Sequence, residues 1–166
     1  MRYLKAGAAF LVAFLMQGSL LNLFSIGGYT PNLLLGLVVI LSFLYEKELY
    51  GILYGALFGL LCDICYCDVI GPTPISFVLT AVVVIMMRYY ANVENSISMS
   101  VVAVISFLMY YVINWGLCSI AGTPIGIGYV IANAIIPIIY TLAFVFVVYK
   151  VLIKDVVKHH KDRYFI

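Results

Sequence analysis

Few side chains in this sequence could do chemistry, and most of them lie in apolar surroundings. Asp63 sits inside an apolar run, where an ionised carboxylate at mid-bilayer depth costs on the order of 3 kcal/mol and less near an interface. Keeping it there calls for a partner or a wet cavity. Asn114 and Trp115 in a later apolar run, Asn133 in the last, and Asn22 and Asn32 early in the chain are the candidate partners. Two uses of this set are open: interhelical hydrogen bonds worth about 0.6 kcal/mol each, or an outward-facing ligand pocket. Cys62, Cys65 and Cys67 cluster around Asp63, near the outer end of the same run, and Cys118 comes later. C-x-x-C spacing serves zinc or redox chemistry in soluble proteins, but no His lies near these thiols, and small apolar Cys packs well in a helix. The pair His159-His160 falls in the basic tail and reads as solvated.

Signatures of enzymes are missing. The sequence holds no G-x-x-x-x-G-K-[ST] phosphate loop, no H-E-x-x-H zinc helix and no G-x-S-x-G nucleophile turn. The expectation is a non-catalytic chain with no cofactor and no metal. Its nine Lys and Arg are too few and too scattered for a nucleic-acid surface.

What must position these groups is set by composition. Of 166 residues, 66% are hydrophobic and only 10% charged, and mean hydropathy is +1.16. Soluble domains carry about a quarter charged residues, because water must wet their surface. This surface must face lipid. The unbroken apolar runs exclude a barrel, whose strands are about ten residues long and alternate. Six spans are expected, at about 6–26, 31–45, 49–67, 75–91, 99–121 and 129–149, with a basic tail over 150–166. The fold class is therefore all-α, a single compact bundle of six transmembrane helices. The first run continues too far for a cleaved signal and is expected to stay as the first helix.

Charge placement gives the orientation. Arg2 and Lys5 precede the first span, Lys47 separates the second and third, Arg88 ends the fourth, and Lys150, Lys154, Lys158, Lys161 and Arg163 follow the sixth. Six crossings put all of them on one side, which the positive-inside rule makes cytoplasmic, with both termini inside. The tail lysines recur at helical spacing, fitting a basic extension on anionic lipid or an ordinary basic stop.

Gly51, Gly55 and Gly59 repeat every four residues in the third span, and Asp63 continues the row. Positions four apart share one ridge of a helix, and in lipid a glycine ridge is a face for close helix approach. It suits packing inside the bundle or docking of a partner helix. Pro137, four residues after Asn133, is expected to kink the sixth span.

Several of these segments together resemble one family. Pro31-Asn32-Leu33-Leu34-Leu35, the Tyr45-Glu46-Lys47-Glu48 corner, the glycine row ending in Gly59-Leu60-Leu61-Cys62-Asp63, and Gly71-Pro72-Thr73-Pro74 look like MreD, the small membrane subunit of the bacterial rod-shape machinery. Asn133-Ala134 adds to the likeness. Asn32 stands where the family usually has Asp, and the Cys-rich end of the third span is atypical. The resemblance implies a scaffold in the bacterial cytoplasmic membrane. Its partners would be an MreC-like single-span protein and, indirectly, an MreB-like filament, a RodA-type polymerase and a penicillin-binding transpeptidase. Gly51, Gly55, Gly59, Asp63 and Pro31 are the residues it singles out. The bundle is also similar to the substrate-binding components of energy-coupling-factor vitamin transporters, and Ala9-Phe10-Leu11-Val12-Ala13 offers the small-xxx-small pattern those subunits use. That makes vitamin uptake the alternative function.

Overall fold

Six helices follow one another along the described chain: α1 Tyr3–Ser19, α2 Leu33–Leu44, α3 Tyr50–Tyr66, α4 Pro72–Arg88, α5 Ser96–Ile120 and α6 Ile127–Lys161. The computed structural model describes residues 3–19, 30–45, 49–67, 69–93, 95–122 and 126–161, and of Ser19 and 154–161 only the backbone. Asn22, the Gly27-Gly28-Tyr29 turn, the Glu46-Lys47-Glu48 corner, Asp68 and Thr123 to Ile125 lie outside the described residues.

Helix α2 is the centre. Its run Leu-Leu-Leu-Gly-Leu-Val-Val-Ile-Leu-Ser-Phe-Leu has no polar face, and a helix apolar all round must be covered all round. All twelve of its residues are buried, and it touches each of the other five helices. At 1.5 Å per residue it is only about 18 Å long. The expected span at 31–45 is thus a short helix enclosed by protein.

The surrounding helices turn apolar side chains outward as well as inward. Leu53, Leu57 and Ile64 of α3, Ile105 and Leu108 of α5, and Ile131 and Ile139 of α6 are all exposed. A water-soluble bundle would place charge there; this one suits a hydrocarbon solvent. By length and composition, α5 and the 127–153 part of α6 are long enough to cross a bilayer. Helices α1, α3 and α4, at 17 residues each, stand at the short end of the crossing range.

Several helix ends lie a few residues or more from the expected spans. Helix α4 begins at Pro72, inside what reads as a turn over 68–74. Proline is tolerated in the first turn of a helix, where its missing N–H has no intrahelical partner to lose. Helix α6 runs without a break from the sixth apolar stretch into the tail, as far as Lys161.

One end of the bundle gathers basic and tyrosine side chains. The Tyr3 ring meets Tyr50 edge-on at 4.8 Å between centroids, and Tyr45 meets the same ring at 5.8 Å. Tyr149 Oη donates to the Val93 carbonyl at 2.7 Å. The first two contacts gather the start of α1, the end of α2 and the start of α3, and the third joins the segment after α4 to α6. Helices α3 and α4 run antiparallel from the Asp63–Gly71 contact, so the end of α4 with Arg88 lies at the level of the start of α3.

Candidate functional site

The glycine row of α3 is filled from within the protein. A Cβ on Gly51 would collide with Ser42 Oγ of α2 and sit 2.8 Å from the Val38 carbonyl oxygen. On Gly55 it would meet Val38 Cγ2 at 3.1 Å and Phe77 Cβ at 3.3 Å, and on Gly59 it would lie 2.7 Å from Pro74 Cα. The row therefore crosses from α2 to α4, and glycine is what lets three backbones approach. Of the two uses the spacing allows, internal packing occupies these positions. A partner helix could not lie on them without displacing α2 or α4.

Asp63, the next residue in the row, is fully buried, and its partner is backbone rather than an amide side chain. Its Oδ2 accepts the N–H of Gly71 at 2.8 Å and of Thr73 at 3.2 Å. The first N–H groups of a helix have no intrahelical acceptor and carry the positive end of its dipole. Gly71, at φ 123°, has no capping side chain of its own, and that backbone angle favours glycine. The carboxylate of the previous helix does the capping instead. This offsets part of the cost of burying the carboxyl group, because Oδ2 meets donors that would otherwise be unsatisfied in lipid. Its Oδ1 is buried with no hydrogen-bond partner among the described residues.

Helix α5 joins the same corner. Ser76 Oγ donates to the Pro72 carbonyl at 2.6 Å, and Asn114 Nδ2 donates to that hydroxyl oxygen at 3.3 Å. Cys118 Sγ lies 3.6 Å from Asn114 Oδ1. Phe77, packed against Gly55 and Gly59, stacks on the buried Tyr110 ring at 5.3 Å. Helices α3, α4 and α5 are thus locked together around the start of α4.

A second junction holds the start of α2. Asn32 is its N-cap, with Oδ1 accepting the Leu35 N–H at 2.9 Å. Gln17 Oε1 of α1 accepts the Leu34 N–H at 3.4 Å. The Asn32 N–H donates to Thr141 Oγ1 of α6 at 3.0 Å, and that hydroxyl donates to the Pro137 carbonyl at 2.7 Å. Pro31 precedes this cap, half-buried. Four residues on, a Cβ on Gly36 would lie 3.0 Å from the Phe144 ring, so α2 and α6 also pack closely.

The five residues suggested for an outer pocket are not gathered into one. Asp63 and Asn114 both reach the start of α4, the first through the Gly71 and Thr73 N–H groups and the second through Ser76; Asn32 serves α2. Asn133 Nδ2 donates to Tyr129 O of its own helix at 2.8 Å. Trp115 lines a cavity of about 150 Å³ between α5 and α6, with Leu108, Tyr111, Ile131, Ala134 and Ile138 among its other walls. Asp63, Asn32 and Asn133 bond to backbone groups and Asn114 to a hydroxyl. Cys62 is buried, Cys65 and Cys67 are exposed, and none of the four cysteines forms a disulfide among the described residues. Among the described residues no group of three His, Cys, Asp or Glu could hold a metal. Ala13, one end of the small-xxx-small pattern in α1, faces the core.

Sequence reasoning missed Gln17, Ser76 and Thr141. The two hydroxyls do carry a signal, since each stands four residues after a proline and donates to that proline's carbonyl.

A family model described as rod shape-determining protein MreD matches residues 3–156, nearly the whole chain. The chain belongs to the MreD family. No curated protein and no solved structure matches it. MreD proteins are polytopic, non-catalytic membrane proteins of rod-shape determination. In this MreD chain the motif from Gly51 to Pro74 is one structural unit, the capped and close-packed corner just described. Asn32, in the place where Asp is usual, still supplies a side-chain oxygen to the N3 amide, which either residue can do.

Proposed function

We propose that this chain is a non-catalytic scaffold of the cell-elongation machinery in the bacterial cytoplasmic membrane. In this reading it crosses the bilayer six times with both termini cytoplasmic and holds an MreC-like single-span protein. Through that partner it reaches an MreB-like filament, a RodA-type polymerase and a penicillin-binding transpeptidase. The observation that carries the reading is the use of the polar side chains. Asp63 ties α3 to the start of α4, Asn114 ties α5 to Ser76 of α4, and Thr141 of α6 accepts the N–H of Asn32, the cap of α2, while the outward faces are apolar. A rigid body that presents helix faces to lipid suits a docking subunit better than a transporter or an enzyme.

Because the glycine row is occupied, the docking surface would be the lipid-facing flank of α3, around Leu53, Leu57 and Ile64, which are exposed. Photo-reactive residues at these three positions test this in cells. The expected result is an adduct with the MreC-like protein. Cells that stay rod-shaped without this chain, or no adduct from any of the three, would overturn it. A vitamin that co-purified tightly would favour the uptake reading.

A further inference from the structure

We draw no further inference here: the strongest candidate, the apolar groove between α5 and α6 around Trp115 and Ala134, carries none, because nothing in the structure shows what covers it.

Discussion

Asp63 Oδ2 accepts the Gly71 N–H at 2.8 Å across eight positions of sequence, so the last turn of α3 caps the first turn of α4. With Thr73 as the second donor, the pair of helices forms a hairpin whose geometry is fixed by one carboxylate. Asp63→Ala would leave two partly buried backbone donors without their acceptor. The expected loss is about 1–3 kcal/mol. Asp63→Asn keeps an acceptor oxygen and loses only the charge–dipole part, about 0.3–1 kcal/mol. Thermal unfolding in detergent should rank the native chain above Asn, and Asn above Ala. An Ala variant as stable as the native chain would remove the cap from the account.

The glycine row should respond unevenly, because different atoms face each position. At Gly59 the obstruction is the backbone of Pro74, at 2.7 Å, which cannot swing aside. At Gly55 the nearest atoms are a Val38 methyl at 3.1 Å and Phe77 Cβ at 3.3 Å, which can yield by a few tenths of an ångström. Gly59→Ala should therefore cost about 1–3 kcal/mol by overpacking, and Gly55→Ala clearly less. Gly55→Leu exceeds what that space can give, and should separate α3 from α2 and α4. Folded yield after membrane extraction and the midpoint of unfolding report this order; Gly55→Ala proving worse than Gly59→Ala would contradict it.

These two regions were legible in the sequence to different degrees. The glycine row could be read because its requirement is on the backbone, glycine where helices touch; the Gly-Pro pair reads as a turn, although α4 begins there. The role of α2 could not. An apolar run looks the same whether lipid or protein surrounds it, and only the three-dimensional packing makes Leu33–Leu44 the centre. Nor could the partner of Asp63 be read, because backbone N–H groups leave no mark in residue types. Searching for polar side chains at equal depth pointed to Asn114 and Asn133, when the nearest donors were amides eight and ten residues along the same chain.

The start of α2 offers a test of coupling between helices. Asn32 caps α2 with its side chain and reaches α6 with its N–H. Asn32→Leu should cost about 1 kcal/mol through the lost cap, whereas Asn32→Asp should be tolerated. Thr141→Val removes the acceptor for the Asn32 N–H. Since both changes loosen one junction, the double variant should depart from the sum of the single ones by about 0.5 kcal/mol or more. Strict additivity in unfolding measurements would mean the two residues act separately.

Topology can be checked at Lys150, which is exposed on α6 at the end carrying Tyr149. A cytoplasm-dependent reporter fused after Lys150 should be active, and a periplasm-dependent one silent. The opposite result would invert the bundle and place the Asp63 corner on the cytoplasmic side.

Trp115 is the single tryptophan of the chain and lines the apolar groove between α5 and α6, so its fluorescence reports on that face alone. If the outward faces of α5 and α6 meet lipid, phospholipids brominated along the acyl chains should quench Trp115 in reconstituted vesicles relative to unbrominated lipid. Bromine placed at different chain depths should quench unequally, because a fixed helix holds the indole at one depth. Adding the MreC-like partner separates two arrangements: quenching should persist if the partner docks on α3, and should fall if it covers α5 and α6 instead. Emission unaffected by brominated chains in the absence of partner would mean that this face is shielded from lipid, and the account of an apolar exterior would fail at the helices where it is best supported by length.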